Sequence, residues 1–246
     1  IVLITGATSG IGKAAALLFA QAGAQVIAVG RDVERMNEIK AAVDAKISVF
    51  SVDVTAPDEI DELIRKIDSD FGRLDVLINA AGIIANGSVE NTTLADWDTM
   101  LDVNLRAVFY LMHKAVPLLK ESKGNVVNVS SVTGIRAFPN VLAYCVSKAA
   151  VDQLTRCTAL ELAPFGVRVN AVNPGVVQTN LHKRSGMDED KYAGFLEHSK
   201  TTHPLGRVGQ PIEVADLIFF LASEKAEWIT GATYEIDGGR AQTCAR

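Results

Sequence analysis

The sequence predicts an α/β fold: a doubly wound, parallel, seven-stranded sheet with helices on both faces, in three αβα layers. Three observations carry this. Short runs of Val, Ile, Leu and Ala alternate with longer helical patterns. The runs are nearly unbroken, as strands buried on both faces must be. No Pro/Gly/Ser-rich linker, internal repeat or low-complexity stretch divides the 246 residues, so one domain over 1–246 is expected.

Ile1-Val2-Leu3-Ile4 reads as the first strand, the alanine-rich stretch from Ile11 to Ala22 as a helix and Gln25 to Val29 as the second strand, one βαβ beat. Ile47 to Val52 is the third strand. A helix runs from Pro57, which suits a first turn because its missing N–H would be unpaired there, to Phe71. The strand Leu74 to Ile78 leads to a long helix from about Leu94 to Leu119, and the strand Asn125 to Val129 to a helix from about Ala143 to Leu162. The strand Val167 to Val172, a helix from Ile212 to Ser223 and the strand Thr233 to Ile236 complete the series. Gln178 to Gly209 breaks every period, and a long irregular segment in a compact domain is usually functional, so a substrate lid is expected at about 178–209.

Composition narrows the function. With 48% hydrophobic and 22% charged residues the chain can bury a sizeable core, which excludes a disordered or fibrous protein. A net charge of −5, without a block of like charges, argues against nucleic-acid or anionic-membrane partners. The longest uncharged stretch, Ala14 to Gly30, holds Gln21, Gly23 and Gln25 and is no membrane span. Cys145, Cys157 and Cys244 form neither a Cys-x-x-Cys pair nor an even framework, so a reducing, cytoplasmic location is expected. Ile1 already stands within a strand, so preceding residues are expected and organelle targeting stays open.

The first strand ends in Thr5-Gly6-Ala7-Thr8-Ser9-Gly10-Ile11-Gly12 and opens directly into a helix. Glycines there let bare backbone approach a pyrophosphate, and the helix N-terminus offers it unpaired N–H groups. The spacing is Gly-x-x-x-Gly-x-Gly, and alone it would equally fit a simple helix-entry turn. The second strand ends in Gly30-Arg31, where a guanidinium can grip a ribose 2′-phosphate; Asp32 beside it could serve a ribose hydroxyl instead. NADP(H) is therefore expected over NAD(H).

Tyr144 and Lys148 stand four apart, side by side on one helix face. Bringing a phenol from its usual pKa near 10 to about 7 takes roughly 4 kcal/mol, which an adjacent ammonium can supply. Ser130 and Ser131 end a predicted parallel strand, Asn104 is polar within an apolar helix, and Asn79-Ala80-Ala81-Gly82 follows the fourth strand at the same sheet edge. Open α/β sheets place their ligand crevice at that edge. His182, His198 and His203 lack ligand spacing and read as solvated loop residues, His113 as a helix-surface residue; no metal site is expected.

Taken together these motifs resemble the short-chain dehydrogenase/reductase family, in its Rossmann-type branch of about 250 residues, over the whole chain. The resemblance implies that Gly6, Thr8, Ser9, Gly10, Ile11 and Gly12 form a coenzyme turn. Asp53-Val54 would lie beside the adenine. Asn79, Ala80 and Gly82 match a segment in which Ala80 replaces a second Asn, with Asn79 left to meet the coenzyme. Pro174, Gly175, Val177 and Thr179 would form the turn under the nicotinamide. It also implies a catalytic tetrad of Asn104, Ser131, Tyr144 and Lys148, with Ser130 facing away. Tyr144 would give a proton to the carbonyl oxygen, Ser131 would hold that oxygen, Lys148 would bind the ribose and lower the Tyr144 pKa, and Asn104 would anchor a water.

By the same resemblance Ile84, Val132, Val141, Val176, Leu181 and Phe195 would line the substrate pocket, suggesting a small apolar ketone. Lys120 and Lys123 precede the fifth strand but Pro164-Phe165-Gly166 brings no basic residue before the sixth, so a carbonyl reductase is expected ahead of a 3-oxoacyl-thioester reductase. A coenzyme-binding regulator or scaffold is the reading from another class, against which the tetrad is complete. The resemblance further implies a homotetramer or homodimer, for which Val108, Leu111 and Leu154 would supply apolar surface.

Overall fold

Alternate residues of each central strand divide between two cores. Val2, Ile4, Val26, Ala28, Val76 and Ile78 join one buried cluster, and Leu3, Ile27, Val29 and Leu77 join the other. That two-sided burial follows from the pleat, in which successive side chains point to opposite faces. The computed structural model describes residues 1–42 and 47–243; Cys244 lies outside them.

In chain order the elements are β1 (Val2–Thr5), α1 (Gly10–Gln21), β2 (Val26–Gly30), α2 (Val33–Ala42), β3 (Ile47–Ser51), α3 (Pro57–Phe71), β4 (Val76–Asn79) and α4 (Leu94–Leu101). A π-helical turn (Asp102–Arg106) leads into α5 (Ala107–Ser122), β5 (Asn125–Val129), α6 (Val132–Ile135) and α7 (Leu142–Leu162). Then come β6 (Arg168–Pro174), α8 (Leu181–Arg184), α9 (Glu189–Thr202), α10 (Pro211–Ala222) and β7 (Thr233–Ile236). The seven strands are all parallel, in the order β3-β2-β1-β4-β5-β6-β7. The strand order reverses between β1 and β4, which opens a crevice beyond their carboxyl ends.

On one face α1 packs against α10: Ala15, Ala16 and Phe19 meet Val214, Ala215 and Ile218, with the Phe19 and Phe219 rings 4.9 Å apart. On the other face α3, α5 and α7 bury Ile60, Leu63, Ile67, Leu111, Ala115 and Leu162. Val108 and Leu111 are therefore spent in this core. Of the three residues expected to supply apolar surface, Leu154 does so, in a hollow with Leu101, Leu105 and Phe109, the last 50% exposed.

Two expectations need correction, and one element was not foreseen. The helix from Leu94 is not continuous, because a π turn interrupts it at Asn104. The stretch before β3 carries α2, whose apolar contribution is limited to buried Met36 and Ile39 among charged neighbours. The segment 178–209 is not irregular: Asp188 caps α9 by accepting from the Lys191 N–H at 2.8 Å.

Candidate active site

A cleft of about 810 Å³ opens over the carboxyl ends of β1, β4, β5 and β6. Its floor begins where β1 stops. Gly6 has φ +67°, a left-handed conformation, and a Cβ there would sit 2.7 Å from the Ala80 carbonyl oxygen. A Cβ on Gly12 would run into the Gly6 carbonyl. The turn thus closes backbone on backbone, as only glycine permits. The Thr5 hydroxyl accepts from the N–H groups of Ala80 and Ala81 at 3.1 and 3.2 Å, tying the end of β4 to that of β1. Ser9, the N-cap of α1, makes no side-chain cap bond, so the first amides of the helix face the cleft without a side-chain acceptor.

Toward the other end of the cleft lie Arg31, Asp53 and Val54. The Asp53 carboxylate accepts from the Thr55 backbone N–H at 2.9 Å and its hydroxyl at 2.8 Å, which holds it below the usual carboxylate range. Beside Arg31 a second hollow is lined by Thr8, Asp32, Val33, Glu34 and Arg184; the last reaches in from α8.

Tyr144 and Lys148 project together from α7, 7% and 5% exposed. Burial pushes the Tyr144 phenol up to about 12 against the pull of the Ser131 hydroxyl. Burial also draws the Lys148 ammonium down to about 8, while its Nζ donates to the Val129 carbonyl at 2.9 Å. The expectation that Lys148 lowers the phenol is therefore reversed: the ammonium lies 5.7 Å from the ring centre and is occupied by Val129, so desolvation prevails.

Ser131 caps α6, its Oγ accepting from the Thr133 N–H at 3.1 Å, and lines the cleft. The Ser130 hydroxyl donates to the Lys148 carbonyl at 3.1 Å. Asn104 is fully buried, and its carboxamide clips Ile83 twice, accepting from its N–H and donating to its carbonyl, both at 2.9 Å; Nδ2 also donates to the Ser147 hydroxyl at 3.1 Å. The π turn presents this side chain inward. Those contacts occupy the side chain that was expected to anchor a water. Asn79 also differs from expectation: it is buried with Nδ2 donating to Asn128 Oδ1 at 2.8 Å, part of a polar ladder that continues to Thr155, and does not line the cleft. Thr8, Ser9, Gly10, Ile11, Ala80, Gly82, Pro174, Gly175, Val177 and Thr179 do line it.

The histidines of segment 178–209 are not all solvated. His182 lines the cleft with its ring 4.5 Å from that of Phe195. His203 is buried: Nδ1 lies 2.7 Å from the Ser199 carbonyl, and Nε2 accepts from the Val176 N–H at 3.1 Å. Burial holds both imidazoles below their ordinary range. Arg184, Phe138 and Arg240 also reach the cleft and were not singled out by sequence. For Arg240 a signal existed, since Gly238 and Gly239, at φ +59° and +85°, turn the chain after β7.

Residues 6–241 match the family whose model is described as enoyl-(acyl carrier protein) reductase. The chain is 42% identical over 241 residues to the 3-oxoacyl-[acyl-carrier-protein] reductase FabG of Thermotoga maritima, covering 96% of each. It is 37% identical to cyclohexanol dehydrogenase of Acinetobacter sp., covering 97% of this chain and 93% of that one. A solved structure, ElxO with NADP bound, is 36% identical with a TM-score of 0.90 over 98% of each chain.

Proposed function

The chain belongs to the short-chain dehydrogenase/reductase family of oxidoreductases acting on CH–OH and C=O groups, and on that premise we propose that it interconverts a ketone and a secondary alcohol on a small, mainly apolar substrate with NADP(H). The observation that carries this reading is the buried Tyr144 phenol, with Lys148 and Ser131, in the same cleft as the glycine-closed turn at the start of α1.

The residues present fit a dinucleotide, because the Gly6–Gly12 turn leaves bare backbone and a helix N-terminus without a side-chain cap facing the cleft. Gly6, Thr8, Ser9, Gly10, Ile11 and Gly12 would hold the pyrophosphate, and Arg31 the 2′-phosphate. Asp53 and Val54 would border the adenine, Ala80 and Gly82 the ribose side, and Lys148 the second ribose. Pro174, Gly175, Val177 and Thr179 would back the nicotinamide. Bound there, the coenzyme supplies or accepts a hydride.

In the reduction direction Tyr144, whose buried phenol is protonated at neutral pH, donates its proton to the carbonyl oxygen. The Ser131 hydroxyl donates a hydrogen bond to the same oxygen. Asn104 is a positioning residue: through Ile83 it fixes the segment carrying Gly82, where a Cβ would stand 3.3 Å from Asn104 Oδ1 and 3.5 Å from Lys148 Nζ. Segment 178–209 acts as the lid. Ile84, Val132, Val141, Val176, Leu181 and Phe195 form apolar walls that suit an unfunctionalised ketone.

Reduction of a 3-oxoacyl thioester is the second reading, favoured by the 42% identity to the Thermotoga maritima enzyme. Assembly as a homotetramer or homodimer would cover half-exposed Phe109 and the hollow beside it; light scattering that returned only monomer would exclude it. Among the described residues no helix is long and apolar enough to cross a membrane, and a cytoplasmic location is proposed with the enzyme.

A panel of diketones, quinones, sugars, steroids and 3-oxoacyl thioesters, with NADPH and NADH, tests the assignment at the nicotinamide absorbance. NADPH-dependent turnover of a small ketone is expected. Faster turnover of the thioester would select the second reading, and coenzyme binding without any turnover would replace both with a regulatory role.

A further inference from the structure

Behind the reacting face lies a charged group that the proposed chemistry leaves without a task. Asp152 stands on α7 one turn beyond Lys148 and is 2% exposed. Its Oδ2 accepts from Asn173 Nδ2 at 2.9 Å, and the same amide donates to the Ser131 backbone carbonyl at 3.0 Å. Asp152 Oδ1, Asn173 Oδ1 and Thr133 Oγ1 are buried with no hydrogen-bond partner among the described residues. Helix α6 is pressed onto this spot: a Cβ on Gly134 would lie 2.5 Å from Asp152 Oδ2 and 2.9 Å from the Lys148 carbonyl oxygen.

A buried, incompletely partnered carboxyl group costs stability that an apolar side chain at a helix–sheet contact would not. Its surroundings indicate what offsets that cost. The residues that face it from other elements, Ser130 and Asn173 at the ends of β5 and β6 and Thr133 and Gly134 of α6, are uncharged. Burial pushes the Asp152 carboxyl above its usual range, while hydrogen bonds from Ser130 and Asn173 and the charges of Arg156 and Lys148, both on α7 and the former exposed, pull it back toward the carboxylate. Lys148 in turn donates to the Val129 carbonyl and lies beside the Tyr144 ring, neither of them anionic while the phenol is protonated. Asp152 is the anion that acts on it.

We propose that Asp152 is a positioning residue that works through Lys148: its carboxylate keeps the buried ammonium charged and, through Asn173, holds the Ser131 backbone in the same frame. This rests on the reading above, in which Lys148 stands beside Tyr144 in the cleft and holds the second ribose. One carboxylate then joins the strand end carrying Ser131, the strand end leading to Pro174 and Gly175, and the helix carrying Tyr144 and Lys148.

The test is Asp152→Asn, which keeps an oxygen for the Asn173 amide and removes the charge, with Asp152→Glu as the charge-retaining control. The first readout needs no turnover. In protein labelled with [¹³C]lysine, the Lys148 Cε resonance should titrate at a midpoint about one unit lower in Asp152→Asn than in wild type and near the wild-type value in Asp152→Glu. The alkaline limb of NADPH-dependent reduction should move to lower pH by the same amount, with KM for the ketone little changed. An unmoved Lys148 midpoint in Asp152→Asn overturns the proposal, as does an equal shift in both variants, which would mean packing rather than charge. Absence of wild-type turnover would overturn the functional reading, while the Lys148 titration would still decide this one.

Discussion

The two ends of the cleft are built by opposite means. At the β1–α1 turn the chain closes on itself: glycine backbones touch, and the flanking strands β1 and β2 are buried along almost their whole length. In segment 178–209 the glycines Gly186 and Gly194 would meet nothing within 4 Å if given a Cβ, and α9 buries only Tyr192, Ser199 and Thr202. What holds that helix is local and exposed: the Asp188 cap and the Lys183–Glu189, Lys191–Asp188 and Lys200–Glu197 pairs. Exposed pairs of this kind contribute about 0–1 kcal/mol each. Deeper ties connect the segment to the cleft, among them Tyr192 OH donating to the Thr179 carbonyl at 2.8 Å, the Val176 N–H donating to His203 and Arg240 donating to the Thr202 carbonyl at 3.2 Å. The proposed coenzyme end is pre-formed and the other end is held at small cost, the division of labour that the proposed lid would require.

If the pre-formed half also carries the functional strain, the largest effect comes from Lys148→Met. A shift from 10.5 to about 8 corresponds to about 3 kcal/mol favouring the neutral form. Below pH 8 the folded protein holds a desolvated charge that the unfolded chain keeps in water, so removing the amine should raise stability by up to about 3 kcal/mol at neutral pH. The gain should shrink as pH rises from 8 toward 10.5, where the native amine is already neutral. Denaturant unfolding across that range measures it, and a destabilised variant would mean that the Val129 contact outweighs desolvation.

The same substitution in the two regions should then have opposite signs. Gly12→Ala forces a methyl group into the Gly6 carbonyl and should cost about 1–3 kcal/mol or more, together with NADPH affinity. Gly194→Ala, in open space within α9, should stabilise by about 0.5–1 kcal/mol. Equal effects would erase the contrast between the regions. The smallest effect is the lid's response to acid. His203 titrates below its ordinary 6.5, so as pH falls below 6.5 the unfolded chain gains a proton that the folded site resists, and stability declines. A protonated ring cannot accept from Val176, so hydrogen exchange in α9 should quicken before that in β1, and His203→Gln should flatten the dependence.

How much could be read in advance follows the same division. β5, β7 and α3 have the bounds the sequence suggests; for α3 the signal is Ile60, Leu63 and Ile67 repeating at helical spacing behind Pro57. Helices α2 and α9 lack such a signature, since each rests on two or three buried residues and a charged remainder. The π turn is a local change of helical register without a composition of its own; its trace was Asn104, polar in an apolar stretch. The Tyr144/Lys148 pair was legible because its four-residue spacing is local and its chemistry distinctive, whereas the choice of Ser131 over Ser130 came from the family resemblance. The buried roles of Asn79, His203 and Asp152 depend on partners 49, 27 and 21 residues away, which spacing along one element cannot reveal.

The most direct measurement is turnover by Tyr144→Phe. The ring and its packing remain, and only the phenol oxygen is removed. General acid catalysis contributes about 10² to 10⁴ in rate, so kcat for the proposed NADPH-dependent carbonyl reduction should fall by at least about 10² while NADPH affinity, assigned in this proposal to the glycine turn, Arg31 and Lys148, stays close to wild type. Near-normal turnover in a folded Tyr144→Phe protein would assign the proton to another group and contradict the account.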